Sequence, residues 1–220
     1  MVKIERSFPA PVSLESESRN PSGGSYSKAD VIRQLKEDFH NKCYICELAD
    51  LQDPEVEHLL PHKNRAYPER VFAWNNLFWA CGHCNKVKNQ QKYEEGILDC
   101  CNRDPEEAIS FRLQENEVIA KAKSSKDSEA VLTAMLVEEV FNLRNTAMRD
   151  YKRDFRFRKL NEEMNILYDN LEEMKKKPES RVIMRKLKAL LRRESAFAAF
   201  KRNYVRENSK QFPQLLNYIA

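Results

Sequence analysis

Four of the six cysteines fall into two Cys-x-x-Cys pairs, Cys43-Tyr-Ile-Cys46 and Cys81-Gly-His-Cys84. Each pair can turn two thiolates onto one ion, and two pairs complete the tetrahedral sulfur shell that zinc favours. Four protein ligands leave no open position, so such an ion would be structural and not catalytic. The competing readings are redox pairs and ordinary buried thiols. A thioredoxin-like pair needs a single Cys-x-x-Cys in a βαβ setting, whereas here two pairs flank the insert from Glu47 to Ala80. The expectation is therefore structural Zn²⁺ on Cys43, Cys46, Cys81 and Cys84. Cys100 and Cys101 lie outside the pairs and read as small buried hydrophobes. His83, between two ligands, reads as a solvent-facing or secondary group.

Inside this frame stand Val56-Glu57-His58-Leu59, then Trp74-Asn75-Asn76-Leu77, then Asn85-Lys86-Val87-Lys88 directly after the second pair. In order and spacing these strings resemble an HNH nuclease, the ββα-metal or His-Me finger. The resemblance implies phosphodiester hydrolysis. His58 would take the proton of the attacking water, which a neutral imidazole can do near physiological pH. Asn76 would hold that histidine in place. Glu57 and Asn85 would hold a hard divalent ion, Mg²⁺ or Mn²⁺, through oxygen atoms. Lys88 would add a cation beside the phosphates. Asn85 stands where many HNH enzymes have His, and an amide oxygen suits Mg²⁺ better than a softer metal. Each residue also has a plainer reading: His58 as a hydrogen-bonded histidine, Asn76 on a turn backbone, Asn85 as a helix cap, Lys88 in solvent.

The surrounding run from Phe39 to Glu47, with Glu57-His-Leu-Leu-Pro-His62 and Cys84-Asn-x-x-Lys88, is similar to the HNH subunit of Septu anti-phage systems, a type also found with retrons. That resemblance covers residues 31–92. It implies an ABC/SMC-like ATPase partner that licenses the nuclease, and a reverse transcriptase with its DNA product where a retron is involved. DNA is the favoured substrate and tRNA or other RNA the alternative. From another class, the chain could be a catalytically inert zinc scaffold that binds nucleic acid or a partner. A nicking enzyme acting alone would need a DNA-reading module that the helical tail lacks.

The elements that must position these residues are legible in outline, and the fold class is α+β, mostly helical. Residues 1–27, rich in Pro and Ser, read as an extended or disordered arm. Ser27 would cap a helix carrying Val31, Leu35 and Phe39, opening a zinc-stapled nuclease module over residues 28–98. Within it VEHLL and NLFWAC read as strands, and a helix should begin near Asn85. Residues 99–127 form a connector, with a possible hairpin around ISFRL and VIAKA. From Ser128 to residue 220 the pattern is long charged helices. Leu160, Met164, Leu167, Leu171 and Met174 make one apolar stripe, and Arg149, Lys152, Arg156 and Lys159 a basic one. On this division, truncation near Ser125 should leave the cysteine unit folded.

Net charge is +4, but its distribution is uneven: 15 Lys and Arg against 20 Asp and Glu through Ala120, then 23 against 14. A basic helical half suits an acidic partner, nucleic acid first, or simply a salt-bridged solvent face. No G-x-x-x-x-G-K-[ST] or G-x-G-x-x-G string occurs, so ATP-driven work would fall to another chain. With no apolar run of about 18 residues and no signal-like N-terminus, a cytoplasmic, membrane-free protein is expected.

Overall fold

A computed structural model describes residues 1–143 and 147–219; the side chain of Arg149, expected in the first basic stripe, lies outside the described residues. The chain opens with α1 (Val12–Ser18) and α2 (Ala29–Asp38). Val31 and Leu35, one turn apart, are fully buried, and Phe39 closes the same face. The N-cap of α2 is Lys28 and not Ser27, and no side chain caps it. Asp30 instead accepts from the backbone and hydroxyl of Ser13, at 3.0 and 2.6 Å, which ties α1 to α2.

β1 (Pro54–His58) pairs antiparallel with a later strand across an insert holding α3 (Pro68–Val71) and a short 3-10 turn at Trp74–Asn76. That strand, β2 (Leu77–Cys81), sets Glu57 opposite Phe78 and His58 opposite Leu77. All five residues of β2 are buried. Helix α4 (Gly82–Lys88) begins directly at the strand's end, three residues earlier than the sequence suggests. Cys81 is still extended and Gly82 already helical, so the second cysteine pair spans the junction, and the chain turns Cys84 back toward Cys81. A Cβ at Gly82 would lie 2.7 Å from a carboxylate oxygen of the exposed Glu55, whose side chain would have to swing aside.

Residues 99–127 are structured. Asp104 caps α5 (Pro105–Ala108) by accepting from the Glu106 backbone, with Pro at the first helical position. The hairpin of β3 (Ile109–Gln114) and β4 (Glu117–Ala122) buries Ile109, Phe111, Val118 and Ala120, the alternation of a one-sided sheet. It packs on α6 (Ser128–Asn142), whose start Asp127 caps. After it come α7 (Ala147–Lys176), α8 (Arg181–Leu190) and α9 (Ala198–Glu207). The stripe Leu160, Met164, Leu167, Leu171, Met174 is buried throughout, each side chain contributing about 1.5–3 kcal/mol on removal from water. About half the chain is helical, alongside two small antiparallel sheets, an α+β fold. Among the described residues no helix is long and apolar enough to cross a membrane.

Two expectations change. Residues 1–27 are not a loose arm: Met1, Val2, Ile4 and Leu14 are buried, and Ile4 donates its N–H to the Cys100 carbonyl. Arg6 reaches the carbonyls of Trp74 and Leu77, both at 2.9 Å, and lies over the Phe39, Trp74 and Phe78 rings. The cysteine unit and the helical half also share one apolar cluster, from Met1 to Ile219. Glu47, just after the first pair, accepts from the Ala199 backbone and pairs with the buried Lys42. Lys42 in turn donates to the carbonyls of Arg193 and Ser195.

Candidate metal centre and adjoining cleft

The turn after α2 and the β2–α4 junction bring Cys43, Cys46, Cys81 and Cys84 together, all buried, with sulfur atoms within 4.8 Å of one another. Four thiols at that spacing could hold a metal ion such as zinc, whose bonds to sulfur are about 2.3 Å. Hydrogen bonds from the other three thiols, with the positive charge of Arg156, hold Cys81 well below the ordinary thiol range. Burial pushes Cys43 and Cys84 the other way. His83 is buried and not solvent-facing; its Nε2 lies 3.2 Å from the Val140 carbonyl of α6. Cys100 is buried, as expected, while Cys101 is partly exposed and accepts from Arg6 at 3.5 Å.

Beside β1 a cleft of about 620 Å³ is lined by Glu57, His58, His62, Asn85, Lys88 and Asn89, among others. His58 ends β1, and its Nε2 lies 3.0 Å from the Val71 carbonyl at the end of α3. A carbonyl only accepts, so Nε2 carries the proton and Nδ1 keeps its lone pair. Burial, opposed by the Val71 bond and aided by the charges of His62, Lys88 and Arg65, lowers the imidazole to about 4. His58 is thus neutral at physiological pH. Tyr26 meets it edge-on at 4.6 Å and His62 at 4.5 Å. His62 accepts at Nδ1 from the Arg65 backbone, which leaves its own Nε2 as the protonated nitrogen.

The Asn76 side chain is not hydrogen-bonded to the His58 ring. Its carbonyl oxygen accepts from Leu60 N–H at 2.8 Å, and its amide donates to the Leu60 and Arg70 carbonyls, both at 2.9 Å. It thereby holds both ends of the loop that carries His58 toward Val71. The plainer reading, an amide on turn backbone, and the positioning role are the same set of bonds here.

The expected ion ligands are not assembled as a pair. Glu57 is buried, accepts from Tyr44 at 2.5 Å on one oxygen, and pairs with Lys88 at 2.7 Å on the other. Asn85 donates to Glu55 at 2.6 Å instead. Among the described residues the four cysteines are the one cluster of three or more His, Cys, Asp or Glu able to share an ion. As arranged, Glu57 and Asn85 do not fit a divalent ion, because an ammonium already neutralises the carboxylate. Lys88 is not a free cation beside the cleft. It is buried, and its three N–H bonds go to Glu57, the His58 carbonyl and the Leu59 carbonyl.

Tyr26, Tyr44 and Glu55 enter the site without having been singled out in the sequence, and His62, part of the string that carries the resemblance, enters it without having been given a role there. His62, four residues beyond His58 and after a proline, carried a usable signal; Tyr26 and Tyr44 reach the site only through tertiary packing. Compared with models of protein families, with curated proteins and with solved structures, the chain matches none.

Proposed function

We propose that the chain is an HNH-type endonuclease, the hydrolytic subunit of an anti-phage complex gated by an ABC/SMC-like ATPase, with DNA as its favoured substrate. One observation carries the reading: a neutral His58, its Nε2 committed to Val71, keeps Nδ1 as a base beside an open polar cleft. In that chemistry Nδ1 takes a proton from water as the water oxygen bonds to phosphorus. The bond from phosphorus to the leaving oxygen then breaks. The strand–strand–helix order and its bracketing cysteines, read as a structural zinc site, supply the rigid frame that such positioning requires. The resemblance also implies Mg²⁺ or Mn²⁺ at Glu57 and Asn85, a pair these contacts do not assemble, so the assay is run with and without the ion.

The test is cleavage of plasmid DNA and of total tRNA by wild type and His58→Ala, each alone and together with an ATPase partner. Both proteins should fold and hold zinc equally. The reading expects cleavage by wild type that falls by a factor of about 100 or more in the variant. The polymer cut decides between DNA and RNA. Cleavage that survives in His58→Ala removes His58 as the base. No cleavage in any combination favours a zinc scaffold that only binds.

A further inference from the structure

We propose that Arg156 is the charge partner of the four-cysteine centre, so that a bound metal ion fastens α7 to the β1–β2–α4 unit. Arg156 sits mid-way along the first half of α7, is 5% exposed, and places Nη2 3.0 Å from the Cys81 sulfur across 75 residues of chain. Its Nη1 donates to the Lys152 carbonyl of its own helix, and Nε has no partner. Among the described residues no carboxylate pairs with it. The other buried arginine of this stretch, Arg153, is committed elsewhere, to the Phe141 carbonyl and to Asp154.

A guanidinium stays charged wherever it is placed, and a buried charge needs a counter-charge. Among the described residues, the group able to carry negative charge that it contacts is the cysteine cluster, through Cys81. Four thiolates around a divalent zinc ion carry a net charge of −2, and a guanidinium N–H on one sulfur offsets part of it. Groups hydrogen-bonded to metal ligands tune affinity in this way. The basic stripe along α7 therefore has two uses. Lys152 stays exposed, whereas Arg156 turns inward to the sulfur. The groove of about 670 Å³ beside this contact is walled by Gly82 and His83 on one side and Tyr151, Lys152 and Phe155 on the other. Cys81 and Arg156 themselves line this groove.

The proposal rests on the zinc reading, and the experiment separates the two. Zinc content of the purified full chain is measured first, then zinc affinity by competition with a chromogenic chelator, for wild type, Arg156→Met and Arg156→Lys. Hydrogen exchange of α7 is followed with and without the metal. Wild type should hold one zinc ion. Arg156→Met should bind it about 10–100-fold more weakly, with Arg156→Lys between the two. Removing zinc from wild type should speed exchange around residues 150–160. Should Arg156→Met not fold, Arg156→Lys and the wild-type exchange decide. Wild-type zinc affinity in both variants, or α7 exchange indifferent to the metal, overturns the role of Arg156 alone. A wild-type chain that holds no zinc overturns the zinc reading and this proposal with it.

Discussion

The Lys88 ammonium and the Glu57 carboxylate meet at 2.7 Å, buried together where α4 packs on β1. Burial raises the Glu57 carboxyl even against the pull of Lys88 and the hydroxyl of Tyr44. Lys88 also holds the carbonyls of His58 and Leu59, so one side chain locks the end of β1 to the helix that follows β2. Lys88→Met leaves Glu57 without its counter-charge and should destabilise the chain by about 3–5 kcal/mol. Pairing it with Glu57→Gln should recover part of the loss. Urea unfolding at constant zinc measures both, and a Lys88→Met variant as stable as wild type contradicts the pair.

Asn76 makes three bonds to the loop between His58 and Val71, each worth about 1 kcal/mol and more where a buried partner is left unsatisfied. Asn76→Ala should lower stability by about 2–3 kcal/mol. It should also raise hydrogen exchange at the Leu60 amide. Unchanged exchange there would mean that the loop is held by other contacts.

His58 gives a signed pH dependence. Its folded value of about 4 lies below the 6.5 of an ordinary histidine, so the unfolded chain binds the proton first. The stabilising contribution is present above pH 6.5 and is lost as pH falls toward 4. In total it amounts to about 3 kcal/mol. Wild type should therefore lose stability relative to His58→Gln across that window. Parallel unfolding curves at pH 7.5 and pH 5 would show that the imidazole is not held neutral.

Stripping the metal with a strong chelator should unfold the region from Cys43 to Lys88. A structural zinc contributes about 10–16 kcal/mol in small zinc peptides, as much as the whole stability of a typical domain. Circular dichroism and exchange mass spectrometry follow the loss and its reversal on adding zinc back. Structure that persists in the fully stripped chain would show that the apolar cluster alone suffices.

Truncation near Ser125 should not leave a folded cysteine unit. The cut removes the Val140 carbonyl that meets His83, the Ala199 N–H on Glu47 and the Arg156 contact to Cys81. A fragment of residues 1–124 should be insoluble or zinc-poor. A monomeric fragment with native exchange protection at Leu77–Cys81 would prove the unit independent.

The local elements were legible because each rests on short-range pattern. The ISFRL and VIAKA strings suggested only a possible strand or hairpin where β3 and β4 stand, whereas the apolar stripe from Leu160 to Met174 marked α7 and Cys-x-x-Cys spacing marked the thiol cluster. The sequence by itself also determined which residue types are available, with Glu57, His58 and Asn76 in fixed order. Tertiary structure decided what those residues do. Whether Lys88 faces solvent or Glu57 depends on how α4 crosses β1, and no periodicity encodes that crossing. Whether Arg156 is a surface cation depends on where α7 lies against Cys81, 75 residues away. The Pro- and Ser-rich start reads as loose by composition, yet it is ordered because Arg6, Ile4 and Ser13 find partners in Trp74, Cys100 and Asp30. Contacts between distant segments are chosen by burial and charge balance over the whole chain, which local spacing does not record.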